Sequence, residues 1–143
     1  MGRKVRAASL AAVVAIALVA CGPTTGFGVV IGRDGSRIHL TMPGRNEANT
    51  QGWLCPEDPG PGEVWGQKGA TRLRAAGCLD LGFTATNPNG APDWEGTVDL
   101  STLSDDQLAP FAGKSSFRFI VVSGANGGVH EASVEVPSVD MTP

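Results

Sequence analysis

Apolar and polar side chains alternate along most of the chain beyond residue 27, and Gly and Pro, 20 and 10 of the 143 residues, interrupt the alternation at short intervals. A period of two belongs to strands with one buried face, so the pattern predicts a mostly β protein. Gly28 to Arg33 and Arg37 to Met42 flank Asp34-Gly35, a hairpin signal because both turn residues tolerate positive φ. In the second of these strands Ile38, Leu40 and Met42 share one face, which leaves Arg37, His39 and Thr41 on the polar one. Arg72 to Ala76 and Leu79 to Thr86 continue the strand pattern, with Leu79, Leu81 and Phe83 opposite Asp80 and Thr84. Gly77, between them, predicts a bulge.

The clearest alternation comes late, where Trp94, Val98 and Leu100 interleave with Glu95, Thr97 and Asp99. Ser104-Asp105-Asp106-Gln107 follows as a capping box. The Ser104 hydroxyl serves the first free amides, Gln107 reaches back, and the two carboxylates sit where a helix N-terminus favours negative charge. A short helical turn to about Ala109 is expected. Phe117 to Val122 then places Phe117, Phe119 and Val121 on one side and Arg118, Ile120 and Val122 on the other, before a Gly124 to Gly128 turn and a partner strand from Val129 to Val136. From Trp94 to Pro137 this outline resembles the second half of immunoglobulin-like and fibronectin type III-like sandwiches. The resemblance implies a small antiparallel β-sandwich. The chain has no Tyr, so the tyrosine corner of many such domains is absent.

Asn46 to Gly69 is the segment least like regular structure, with Cys55-Pro56-Glu57-Asp58-Pro59-Gly60-Pro61-Gly62-Glu63 between Trp53 and Trp65. A Pro/Gly loop this long in a compact domain is either functional or disordered. Two readings of its aromatic residues are open. In one, Trp53, Trp65 and also Trp94 form an exposed surface flanked by Glu57, Asp58 and Glu63, suited to stacking on a sugar ring or gripping a protein partner. In the other, the rings cap the end of the core.

The first twenty residues read differently from the rest. Arg3, Lys4 and Arg6 precede an apolar run from Ala7 to Ala20, too short to span a bilayer core that needs about 20 helical residues. The run closes on Leu18-Val19-Ala20-Cys21, which resembles the lipobox of bacterial lipoproteins. That resemblance implies cleavage before Cys21, attachment of diacylglycerol to its thiol, and a location at the extracytoplasmic face of the cell membrane. Residues 1–20 are then a removed signal peptide, 21–26 the lipidated cysteine and a short tether, 27–137 a single β-sandwich domain and 138–143 a C-terminal tail. Export to an oxidising compartment further implies that Cys55 and Cys78 pair as a structural disulfide.

Removal of Arg3, Lys4 and Arg6 leaves eight of the 11 basic side chains against 14 acidic ones, a formal charge of −6. Such a chain is repelled by phosphate backbones and anionic headgroups, which argues against nucleic acid as a partner and assigns membrane attachment to the lipid on Cys21. Catalytic motifs are missing. There is no Gly-x-Ser-x-Gly, no His-Glu-x-x-His and no phosphate-cradling Gly-x-x-x-x-Gly-Lys, and no cofactor motif is present. The reading is a lipid-anchored, non-catalytic binding or accessory module for an envelope protein or glycan. Its alternatives are an envelope hydrolase acting on glycan or peptide through the acidic loop, and a small-ligand or metal carrier drawing on His39, Met42, His130 and Met141.

Overall fold

A computed structural model describes residues 28–43, 50–85, 93–125 and 128–143. The leader, Cys21 and the tether lie outside the described residues, as do the side chains of Phe83, Trp94 and His130. Seven antiparallel strands, β1 (Val30–Asp34), β2 (Arg37–Pro43), β3 (Thr50–Cys55), β4 (Leu79–Ala85), β5 (Asp93–Asp99), β6 (Ser116–Ala125) and β7 (Gly128–Pro137), form one sheet in the order β1-β2-β5-β4-β3-β6-β7. Among the described residues two short helices, α1 (Gly66–Ala75) and α2 (Asp105–Leu108), accompany it. The protein is therefore mostly β. Consecutive strands β3, β4 and β5 lie side by side, with β6 returning to flank β3 and β2 flanking β5, so two Greek keys share their three central strands.

The sheet curls until its edge strands β1 and β7 touch. Ile31, Leu40, Leu54, Leu81, Val98, Phe119 and Val136, one from each strand, meet in a single buried cluster. The halves β1-β2-β5-β4 and β3-β6-β7 thus face each other across one core, as sandwich layers do. Their hydrogen bonding is nonetheless continuous, because β3 and β4 pair through Gly52–Leu54 and Leu79–Leu81. Beyond the last of those pairs Cys55 and Cys78 are joined by a disulfide. It clips the short ladder that holds the two halves together.

The expected hairpin forms with its turn at Gly35-Ser36, one residue later than Asp34-Gly35, since Asp34 pairs with Arg37. Ile38 and Leu40 are buried and His39 is not, as the alternation requires. The capping box is present: Ser104 Oγ accepts from the Gln107 amide, and Gln107 Oε1 accepts from the Ser104 amide at 3.0 Å. Phe111, in the 3₁₀ turn after α2, meets Phe117 of β6 edge to face at 5.1 Å.

Arg72 to Ala76 is not a strand. It belongs to α1, whose Arg72 and Arg74 complement the negative helix C-terminus. Gly77 makes no bulge either. With φ of 83°, it is the left-handed residue of a helix stop in which the Gly77 amide donates to Arg74 O and the Cys78 amide to Leu73 O, both at 3.0 Å. Nor is the stretch before it all loop, since Thr50–Cys55 is a strand. Strand β3 escapes the alternation rule because it lies between β4 and β6 with both faces covered, and Gly52 to Cys55 are buried in succession. Its second face supports a separate cluster of Trp53, Val64, Leu73, Ile120 and Val122, roofed by α1.

Candidate functional site

The loop from Pro56 to Trp65 leaves β3 at the disulfide and returns into α1. Arg72 holds it from below. Its Nη2 donates to Gly60 O at 2.8 Å, and the Gly60 amide donates to Asp58 Oδ1 at 2.9 Å, an Asx turn that fixes the acidic corner. Gly62, at φ 148°, passes so close over the guanidinium that a Cβ there would lie 2.4 Å from Arg72 Nε. A side chain at this positive φ would be strained and would push the Arg72 guanidinium aside.

Around this corner lies a cleft of about 230 Å³ lined by Glu57, Asp58, Lys114, Arg118 and Glu135. Lys114 Nζ stands 3.3 Å from Glu57 Oε2. Arg118 and Glu135 are opposite one another in the β6–β7 ladder, and Arg118 is also opposite Cys55 in the β3–β6 ladder. The cleft therefore carries charge of both signs on a rigid base of strands. Such a surface can pair with a polar partner through several exposed contacts, each contributing little by itself.

Of the residues singled out from the sequence, Glu57 and Asp58 share this cleft. Glu63 is exposed but is not among the residues lining it. Trp53 does not belong to any surface: it is 2% exposed, wedged between α1 and the outer face of β6. Arg74 covers it, with the guanidinium carbon 5.4 Å from the ring centroid. Trp65 is half-buried against the same cluster. An exposed Trp53–Trp65 platform is thus corrected to a buried ring and a partial one, because α1, absent from the sequence expectation, roofs them. Nothing in the described residues bears on the Trp94 ring.

Among the described residues, three of the donors considered for a metal, His39, Met42 and Met141, do not converge, and the His130 side chain lies outside them. His39 Nδ1 lies 2.9 Å from Glu95 Oε1 on the outward face of β2 and β5. Met42 and Met141 pack against the main core on the other side of that sheet.

A second cleft, of about 490 Å³, was not foreseen. It runs between α2 with its 3₁₀ extension and the C-terminal segment, with Leu108, Phe111 and Met141 on its walls and Asp105, Lys114 and Asp140 among its polar lining. The C-terminal tail is docked here. Arg33 of β1 donates to Asp140 O at 2.6 Å and Thr142 O at 2.5 Å, and Met141 is only 8% exposed. Asp140 Oδ1 accepts from the Thr142 hydroxyl and, at 2.9 Å, from the Thr142 amide. These bonds, with the Arg33 charge, hold its carboxyl below the ordinary 3.8. Asp99 is lowered likewise by the Ser101 hydroxyl, the Ser36 hydroxyl and the Ser101 amide, with the Arg37 charge adding to them. The alternation of Val139 and Met141 with Ser138 and Asp140 was the available signal for the docked tail.

No protein-family model matches this chain, and no curated protein does. Among solved structures, a DUF4785 family protein from Legionella pneumophila is similar at 12% identity and a TM-score of 0.39, over 76% of this chain and 26% of that one. The chain spans about a quarter of that protein's length, and a likeness so slight carries no inference about function.

Proposed function

We propose that the protein is a lipid-anchored component of the bacterial cell envelope, held by diacylglycerol on Cys21 and acting as a non-catalytic binding or accessory module. The observation that carries this reading is Leu18-Val19-Ala20-Cys21 at the end of a basic-then-apolar leader. Two acyl chains anchor firmly where one exchanges, since each buried methylene contributes about 0.8 kcal/mol. The Cys55–Cys78 bond supports the reading, because such bonds persist outside a reducing cytosol. The loop cleft of Glu57, Asp58, Lys114, Arg118 and Glu135 is the surface offered to an envelope protein or glycan.

Fractionating cells that express the parent chain or Cys21→Ser tests the anchor. The parent should sediment with membranes and the variant should leave them. Equal retention of both would show that something other than this thiol holds the protein. For the binding role, crosslinking from intact cells should capture an envelope neighbour, and charge reversal at Lys114 and Arg118 together should reduce that capture. Undiminished capture would remove the cleft from the account.

A further inference from the structure

Residues 138–143 follow β7 and join no strand ladder, so a short set of contacts keeps them on the domain. The Ser138 amide donates to Ser115 O at 3.2 Å, Arg33 donates to the carbonyls of Asp140 and Thr142, and the Arg33–Asp140 ion pair stands at 3.6 Å. The Arg33 contacts lie where solvent competes, and such contacts contribute little each. Met141 is the one buried residue of the segment, with half-buried Val139 near it, and it belongs to the same core cluster as Leu108 and Phe111. Docking of the segment therefore depends chiefly on the apolar burial of one thioether side chain.

From that dependence, and from the place of Met141 on the wall of the 490 Å³ cleft, we propose that Met141 is a site of reversible oxidation by peroxide-class oxidants, and that its sulfoxide releases residues 138–143 from the domain. In the step, the thioether sulfur attacks one oxygen of hydrogen peroxide. An S–O bond forms, the O–O bond breaks, and the departing hydroxide takes the proton left on the transferred oxygen to give water. Sulfur is oxidised by two electrons and peroxide is reduced by two.

Access and selectivity both point to this residue. The cleft has Asp105, Lys114 and Asp140 in its lining, and a polar cavity of this size holds water. Hydrogen peroxide, with two heavy atoms, can follow water into it. Cys55 and Cys78 are joined to each other, so among the described residues the sulfurs left to react are those of Met42 and Met141. Met42 packs against the same core, but it lies in β2, which is paired with β5 along its whole length. Its oxidation has no short segment to release. The sulfoxide oxygen is a strong acceptor, whereas the cluster that holds Met141 consists of aliphatic, aromatic and thioether side chains with no donor to offer. The segment avoids that cost by leaving, which frees Arg33 and uncovers Leu108 and Phe111. Exposure to such oxidants in the cell rests on the envelope location proposed above; the chemistry does not.

The test uses the full chain, isotope-labelled and purified, before and after treatment with hydrogen peroxide, with peptide mass mapping to locate the added oxygen. Met141 should gain one oxygen atom, and the backbone order parameters of Val139 to Thr142 should fall from about 0.85 to below about 0.6, while those of Leu40 and Phe119 hold. Methionine sulfoxide reductases A and B together should restore the segment, and Met141→Leu, a near-isosteric change, should stay docked and insensitive to peroxide. A Met141 that resists peroxide while free methionine in the same tube is converted, or a sulfoxide that leaves the order parameters unchanged, would overturn the proposal. So would a segment already mobile in the untreated chain, and so would loss of order at Leu40 and Phe119, since Met141 would then hold the whole fold and not one segment. Every readout is made on purified protein, so these failures leave the Cys21 anchor standing, and retention of Cys21→Ser on membranes would leave the Met141 chemistry standing.

Discussion

Trp53 shows how one residue changes meaning with its surroundings. In the sequence it sits beside prolines and carboxylates and reads as a core cap ahead of a binding ring, and in the fold α1 and β6 enclose it. Replacing it with Ala should cost about 3 to 5 kcal/mol of unfolding free energy, the usual loss for a large buried aromatic. Denaturant titration would show this, and a loss below about 1 kcal/mol would mean that the ring is not packed as described. Lys114 and Glu57 are the contrast: their ion pair is open to solvent, so Lys114→Ala should change stability by no more than about 1 kcal/mol. An effect there belongs to recognition. Asp99 and Asp140 make a pH prediction. Their folded-state values lie below 3.8, so they contribute stability that is fully present above that value and is lost as pH falls through the lowered ones. Thermal midpoints should therefore decline on acidification below 3.8, and Asp99→Asn should flatten that decline. An unchanged slope in the variant would exclude Asp99 as a source.

At the scale of elements, the parts that were legible are those stabilised by their own residues. Ser104 and Gln107 announce α2 because both partners of the cap lie within four positions. Ser104→Ala should accordingly destabilise the domain by about 1 kcal/mol in a denaturant titration, and no change would mean that the cap is not formed. Strand β2 showed itself by alternation over one buried face, and the β6–β7 hairpin by a Gly-rich turn between two apolar runs. Helix α1 did not, because its inward face is Gly69, Ala70 and Leu73, a single large apolar residue beside two small ones, with Gly69 required by the close approach to Val64. Strand β3 lost its alternation through burial on both sides. The loop and α1 together form the excursion closed by Cys55 and Cys78. Removing that bond, as Cys55→Ala with Cys78→Ala, should cost roughly 3 kcal/mol on the chain-entropy model. Proteolysis within 56–77 is the direct readout, and equal resistance in parent and double variant would show that the bond contributes nothing to this excursion.

For the whole molecule, composition and pattern sufficed for a mostly β domain, while the strand order could not be read because it depends on which distant strands pair. Glu57 and Asp58 could be flagged from the sequence, yet Lys114, Arg118 and Glu135 join them only through the β3–β6 and β6–β7 ladders. The same topology docks the tail against β1 and sets the end where β1 begins apart from the cleft. The proposed role joins these features: a lipid anchor at Cys21, a disulfide-clipped fold and a cleft of mixed charge. Its central claim is the covalent anchor. Intact-mass analysis of the protein extracted from membranes tests it most directly: the account predicts a chain beginning at Cys21 and carrying the mass of a diacylglycerol, and a chain that retains residues 1–20, or begins at Cys21 with no acyl mass, would contradict it.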